Sequence, residues 1–429
     1  MVLGLDDLLF SQLLKGAKMR KSMKLGSIAV ASTILAAPGL IHNAAYANTL
    51  TGLIPDLYAA VDVVSRELVG FIPSAARAPG AERAAVGQSV TYHVAPNASA
   101  HDIVPAMTIP EPADQTIGNA FMAITKSRGS RFGFTGEEQR GLNSGPGYLS
   151  VQADMIAQAL RVLTNEVEAD LAVAATAAAS RAYGTAGTTP FATNLGDTAQ
   201  IRKILDDNGA PSTGRSLVMN TSAGAAVRTL SNLTKANEAG TTMTLRQGEL
   251  LDVHGISLKE SGQAVLHTAG TGASATTDNA GYAVGATVIT LASAGTGTIL
   301  AGDVVSFAGD ASKYLVTSGD ADVSGGGTIT IAAPGLQVAI PASATAATVS
   351  DDYAANVAFT ANALHLVTRP PALPQEGDAA LDRIMITDPR SGLVFEIAIY
   401  AGYRKISAEV SIAWGVKATK PEHMALLLG

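Results

Sequence analysis

The chain has 429 residues, a formal net charge of -7, no cysteine, and a composition that is 47% hydrophobic but only 5% aromatic. Such a length exceeds the roughly 250 to 300 residues at which a single core stops growing, so more than one packed unit is expected. The negative balance disfavours a protein that grips nucleic acid through phosphates, and the lack of cysteine excludes disulfides, thiolate catalysis and thiolate metal sites.

The start of the chain reads like an export signal. Lys15, Lys18, Arg20, Lys21 and Lys24 make a basic run, residues 25–37 an apolar run, and Ala45, Tyr46 and Ala47 have the small-x-small form of a cleavage site. Asp6 and Asp7 stand ahead of the basic run, where an ordinary signal has none, and Met19 or Met23 offers an internal start. The apolar run falls short of the ~20 residues a spanning helix needs. Residues 1–47 are therefore a signal-like segment, or else an extra segment or misassigned start ahead of a cytoplasmic chain.

From residue 48 the character changes. Pro55 in a first turn, followed by Leu57, Val61, Val64 and Leu68 at helical spacing, predicts a short helix within 48–74. Residues 75–140 then lose periodicity and are rich in Pro, Gly and Ser, with short extended pieces such as that at 89–94. A structureless excursion this long is unusual inside one domain, so it is expected to be either disordered or pinned against something outside the subunit.

The strongest local pattern follows. Ile156, Leu160, Leu163, Val167, Leu171, Ala174 and Ala178 fall on one stripe, with Gln158, Arg161, Asn165 and Glu168 on another, which predicts a long amphipathic helix stopped at Gly184. A second helix is expected over 197–211, opening with Asp197 as an acidic cap and ending at Asn208 and Gly209. Residues 215–233 read as a strand, a capped turn and a helix from about Ser222, so helices and strands alternate in a mixed core.

Near His267 the composition shifts to Thr, Gly and Ala. Strand candidates at 286–292, 303–309, 314–319 and 327–333 arrive at regular spacing with glycine between them, which predicts a small inserted β barrel or sandwich. Toward the end, Ile406, Ala408, Val410, Ile412, Trp414 and Val416 alternate with polar or small residues, and before them Leu393, Phe395, Ile397 and Ile399 recur at every second position. Together they predict a hairpin with one buried face, turning at residues 401–404.

These residues carry a resemblance. The segment Lys417, Ala418, Thr419, Lys420, Pro421 and Glu422, running out of an aromatic-bearing strand, resembles the C-terminal segment of coat proteins of the short-tailed Salmonella phage type. Residues 286–309 look like the glycine-punctuated inserted domain of that family, and residues 356–374 like the exit from it. The resemblance implies an α+β chain with the tailed-phage capsid fold, known as the Hong Kong ninety-seven fold. Its expected parts are an N-terminal arm at 48–74, an extended loop and peripheral-domain strands at 75–146, and a spine helix and α/β core at 147–266. An inserted β domain would span 267–355, and return strands with a C-terminal hairpin 356–429. Residues 1–47 match nothing in the family.

No enzyme pattern accompanies this. His42, His93, His101, His254, His267, His365 and His423 are scattered without a pair at helical i, i+4 spacing, and neither a phosphate-binding nor a dinucleotide-binding glycine pattern occurs. Asp320, Asp322, Ser324 and Gly325 match the first half of a calcium loop, but its twelfth position is Ile331, so an ordinary Asp/Gly turn is expected. Asp351 and Asp352 read as a solvated turn. Arg128, Arg131, Glu137, Glu138 and Arg140 are the candidate inter-subunit contacts, or else charges that keep a loop soluble.

The expectation is a structural, non-enzymatic major capsid protein without cofactor, catalytic or metal residues. By the resemblance it assembles as pentamers and hexamers into an icosahedral shell, with scaffolding protein and portal as partners. It would enclose double-stranded DNA without sequence-specific binding, assemble in the host bacterial cytoplasm, reside in the virion and touch no membrane. The alternatives are an exported β-rich surface protein and the shell protein of a cellular nanocompartment.

Overall fold

In this computed structural model the described residues are 69–80, 82–94, 118–144, 148–230, 252–387 and 392–429, with positions 102, 103, 105 and 107. The signal-like stretch, its Ala45–Ala47 site and the helix expected around Pro55 to Leu68 lie outside them. In chain order come β1 (Ala76–Pro79), β2 (Ser89–Val94), β3 (Gly118–Ala123), β4 (Lys126–Thr135), α1 (Gly136–Leu142), α2 (Tyr148–Ala177), β5 (Arg181–Tyr183), α3 (Gly196–Asp207) and β6 (Arg215–Met219). There follow α4 (Thr221–Thr229), β7 (Asp252–Val253), β8 (Ile256–Glu260), β9 (Leu266–His267), β10 (Ala275–Thr276), β11 (Val288–Leu291), β12 (Val304–Phe307) and β13 (Lys313–Ser318). Last are β14 (Gly327–Ile331), β15 (Ala346–Val349), β16 (Tyr353–Thr360), β17 (Leu364–Arg369), β18 (Ala380–Thr387), β19 (Val394–Gly402), β20 (Lys405–Ala418) and β21 (Met424–Leu428).

Helix α2 forms because Ile156, Leu160, Leu163, Val167 and Leu171 recur every three or four residues and all are buried, while Gln158, Val162 and Val173 face solvent. Two expectations fail on it. Glu168, placed on the polar stripe, is 0% exposed. The helix also ends at Ala177, well short of Gly184. The reason is tertiary: Ser180 N–H and Oγ–H both donate to Met424 O, at 3.0 and 2.6 Å, and β5 pairs parallel with β21 and antiparallel with β13. Sheet hydrogen bonds replace the helical ones that the Ala-rich sequence would otherwise make.

Against α2 lies a sheet of order β1-β17-β20-β19-β18, with β4 on the other side of β20. Strand β20 organises it. One edge pairs with β4 from Lys405 to Trp414, while the other pairs with β19 and then, from Ala413 on, with β17. The single buried face expected for the β19–β20 hairpin holds only near its turn. From Ile412 to Gly415 both faces are buried, because Ala413 joins Ala84, Met122, Ile124 and Val367 in a cluster behind the sheet. A Cβ on Gly415 would lie 2.1 Å from Ala123 O, so only glycine allows this approach. In β19, Val394 to Ile399 are likewise buried on both faces, Glu396 included.

The excursion expected over 75–140 is divided. Strands β1 and β4 belong to the sheet just described, and only β2 and β3 form a separate two-stranded ribbon.

A second body of sheet has the order β5-β21-β16-β6-β8-β7. Helices α3 and α4 cover it, with Ile201, Leu205, Leu217, Met219, Val227, Ile256, Leu258 and Leu427 in a common core. Asp197 does not cap α3: the N-cap is Leu195 without a side-chain bond, and Asp197 Oδ2 instead accepts from Phe191 N at 2.7 Å. Helix α4 begins as expected, with Asn220 Oδ1 accepting from Ala223 N at 2.8 Å.

Between β9 and β16 the glycine-punctuated strands form a ring, β10-β15-β12-β13-β14-β11, antiparallel throughout. A bridge from Thr277 to Leu291 and the bond from Ala292 N to Thr276 O at 2.9 Å bring its ends together. Ile289, Val305, Phe307, Tyr314, Val316, Ile329 and Ile331 fill it, so it has its own core. Gly297, at φ +86, sits where a Cβ would be 2.2 Å from Thr271 O.

Candidate functional site

The five charges singled out in the sequence lie on β4 and α1, beside α2. Strand β4 follows the helix along much of its length. Lys126 Nζ meets Asp170 Oδ1 at 2.7 Å, Arg128 Nε meets Glu166 Oε2 at 3.1 Å, and near the start of the helix the Phe134 and Tyr148 rings pack edge to face at 5.2 Å. Trp414 Nε1–H, from β20, donates to Asp170 Oδ2 at 2.8 Å.

Arg131 pairs with Glu409, its cross-strand neighbour on β20, and stands 5.7 Å from the Tyr400 ring. Thr135 and Glu138 form a capping box at the start of α1, with Thr135 N–H donating to Glu138 Oε2 at 2.7 Å. These partners leave their mark on acidity. The hydrogen bond to Glu166 raises the Arg128 guanidinium, that to Glu409 raises Arg131, and the Thr135 amide lowers the Glu138 carboxyl.

Three of the five candidates are therefore engaged within the subunit. Glu137 and Arg140 are exposed at opposite ends of α1, with no side-chain partner among the described residues. The sequence reading missed Glu166, Asp170 and Glu409, because a charge pair across separate elements leaves no local pattern.

The β2–β3 ribbon stands next to this face. Its strands run in register from Ser89↔Ala123 to Val94↔Gly118 and pair with no other strand among the described residues. Its root is held by Ile124 N to Gln88 O at 2.9 Å and by Lys417 Nζ to Phe121 O at 2.8 Å. Phe121 itself is 56% exposed.

The interior holds charges that the sequence did not mark. Glu396, buried, lies between Arg83, at 2.5 Å, and Arg383, at 2.8 Å. Arg181 and Arg215 gather the end of α3: Arg181 Nη2 donates to Asn208 Oδ1 at 2.8 Å, and Arg215 reaches Asp206 Oδ1 at 2.7 Å and Ala210 O at 2.6 Å. At the base of the ring, Asp303 Oδ1 meets His267 Nε2 at 2.7 Å while Oδ2 accepts from Leu300 N at 2.7 Å.

None of these clusters converges on open space as reacting groups would. A cleft of about 200 Å³ between α3 and β13 is lined by Arg181, Lys203, Asp207 and Lys313, yet Arg181 is committed to Asn208 and Lys313 to Gly184 O. Among the described residues no group of three or more acidic or histidine side chains is placed to hold a metal ion. Asp320 and Asp322 make short-range turns, Asp322 Oδ1 accepting from Ser324 N at 3.0 Å, and Asp352 Oδ1 accepts from Ala269 N at 2.8 Å. No described helix is long and apolar enough to cross a membrane.

Neither a family model nor a curated protein matches the sequence. Solved structures similar to the chain are those of phage capsids and related particles. One is described as the capsid structure of the cyanophage P-SCSP1u, at 13% identity and a TM-score of 0.42, covering 84% of this chain and 88% of that one. Another is the capsid of a native GTA particle, at 10% identity and a TM-score of 0.42, covering 85% and 90%. A third is the mature capsid of bacteriophage PhiM1, at 12% identity and a TM-score of 0.40, covering 83% and 86%.

Proposed function

We propose that the chain is a structural shell subunit, the major capsid protein of a tailed double-stranded DNA phage or prophage. The observation that carries this reading is one arrangement. A 30-residue helix has a ten-residue strand laid along it, and that strand continues directly from a two-stranded ribbon that pairs with no other strand of its own subunit among the described residues. In the capsid fold these are the spine helix, the peripheral domain and the extended loop, the ribbon being suited to lie over a neighbouring subunit. The sheet carrying α3 and α4 is then the axial domain, and the ring β10–β15 the inserted domain.

The chemistry is assembly rather than catalysis. Subunits would join as pentamers and hexamers around scaffolding protein, with a portal at one vertex, in the host bacterial cytoplasm. A net charge of -7 suits a wall that encloses DNA without gripping it. Of the five charges, Glu137 and Arg140 are the ones proposed to bridge subunits, while Arg128, Arg131 and Glu138 brace the face that presents them. Residues 1–47 are taken as an extra segment ahead of the coat-like chain.

Sizing by light scattering and negative-stain microscopy of the expressed protein tests the reading. Closed shells or capsomer-sized oligomers are expected, and a monomer under every assembly condition would sink it. Shells that enclose an enzyme would point instead to a nanocompartment, and a chain secreted after cleavage near Ala47 to an exported protein.

A further inference from the structure

Helix α2 carries a second apolar stripe, on the side turned away from the core. Val151, Met155, Val162, Ala169 and Val173 recur at helical spacing there, interrupted by Gln158 and Glu166. Val162 is 52% and Val173 56% exposed, and the other three are partly exposed. One flank of the stripe carries Glu166 and Asp170 with their β4 partners Arg128 and Lys126, and the other carries Asp154 and Arg161. A helix that is apolar on two sides is normally covered on both.

The point where the chain enters supplies the cover. The described structure begins at Val69, and the next residues are fastened to α2 itself: Glu168 Oε1 accepts from Gly70 N at 2.6 Å and Phe71 N at 2.8 Å, and Oε2 from Ile72 N at 2.9 Å. Phe71 and Ile72 are 0% exposed, so this attachment is part of the core. Directly before it stands the stretch from Pro55 to Leu68, whose Leu57, Val61, Val64 and Leu68 make a stripe of the same period. We propose that residues 55–68 pack as a helix along the open stripe of α2 in the same subunit, parallel to it, with Leu57 over Met155 and Val64 over Val162.

The attachment sets the direction. A helix from Leu57 to Leu68 is about 17 Å long, whereas α2 ends at Ala177, about 14 Å beyond Glu168, and begins at Tyr148, about 30 Å before it. Only the stretch before Glu168 has room, which makes the two helices parallel. Charge agrees with that direction. In a parallel pair the β4 flank of α2 faces the side of the segment that carries Asp56 and Glu67, and the Arg161 flank faces the side that carries Asp62. With Val64 over Val162, Asp62 stands beside Arg161, and Glu67 beside Arg128, whose side chain is 59% exposed. The short tether also gives the segment an effective concentration of about a millimolar, which a second copy or a separate partner must exceed. The cover is a property of the single subunit and does not rest on the shell reading.

Paired cysteines in the full chain test it, because the protein has none of its own. Val64→Cys with Val162→Cys should close an intrachain disulfide on mild oxidation, read on non-reducing gels and by peptide mass, since facing α-carbons come within the ~7 Å limit. Val64→Cys with Val173→Cys should not, the two positions lying about 16 Å apart along the axis in this register. Val162 and Val173 are exposed, so neither change empties the core. Asp62→Arg should slow closure of the first pair by about two- to fivefold, and Arg161→Asp added to it should restore the rate. The proposal is overturned if the first pair stays reduced, the result for a stripe that awaits a separate partner, or bonds only between chains, the result for a second copy. Closure of the second pair at the same rate, or a charge reversal without effect or without rescue, would overturn it equally.

Discussion

Asp170 ties three elements with one carboxylate, accepting from Trp414 Nε1 at 2.8 Å on Oδ2 and from Lys126 Nζ at 2.7 Å on Oδ1. Trp414 is the sole tryptophan and is fully buried, so it reports on this contact directly. Asp170→Ala leaves the indole N–H without its acceptor and should cost about 1 to 3 kcal/mol. Urea unfolding followed by tryptophan fluorescence measures it, and an unchanged midpoint would show that water replaces the carboxylate without loss.

Glu396 should be the more sensitive acid. Its two arginine partners are on distant elements, and its removal leaves Arg383 only Asp378 and Arg83 only Pro371 O. Glu396→Ala should destabilise by about 2 to 3 kcal/mol, the loss of charge-assisted hydrogen bonds from arginines that each keep another partner. Arg131→Ala, at an exposed pair on the same sheet, should have a far smaller effect on the same unfolding curve.

The contrast between those two acids shows what sequence can carry. The α2 stripe was legible because Ile156, Leu160, Leu163, Val167 and Leu171 repeat at the helical period, and strands such as Val288–Leu291 and Val304–Phe307 because glycine brackets short β-branched runs. Glu168 was misplaced because its donors come from Gly70 to Ile72 and from Ser261, none of them near it in the chain. The early end of α2 was hidden for the same reason, since β5 is defined by β21 at the far end of the sequence. Of the candidate contacts, Arg128 and Arg131 were recognisable as charges, but their partners Glu166 and Glu409 were not.

Gly415 offers a test of how the ribbon is seated. A Cβ there would run into Ala123 O, and Lys417, two residues on, holds Phe121 O. Gly415→Ala places a methyl group in contact with backbone that cannot rotate away, so the ribbon root must lift. The expected outcome is a loss of roughly 1 to 3 kcal/mol, as for other overpacked sites, together with faster proteolysis within residues 89–123. A variant cut no faster than wild type would mean that the root is anchored elsewhere, with Met122 and Ile124 the next residues to truncate.

Acid should loosen the end of α3 through Asp206. The hydrogen bond from Arg215 is the chief cause that holds the Asp206 carboxyl below its ordinary value, with Arg202 adding to it. A group lowered in the folded state contributes stability that is complete above its unfolded value and disappears as pH falls through its folded one. The wild type should therefore lose stability on acidification in a component that Asp206→Asn lacks. Arg215 keeps Pro211 O and Ala210 O as acceptors in that variant, at 2.7 and 2.6 Å, so the end of α3 stays closed at neutral pH. Unfolding midpoints measured downward from neutral pH should thus converge for the two proteins in acid, and parallel curves would assign the acid sensitivity to another carboxylate.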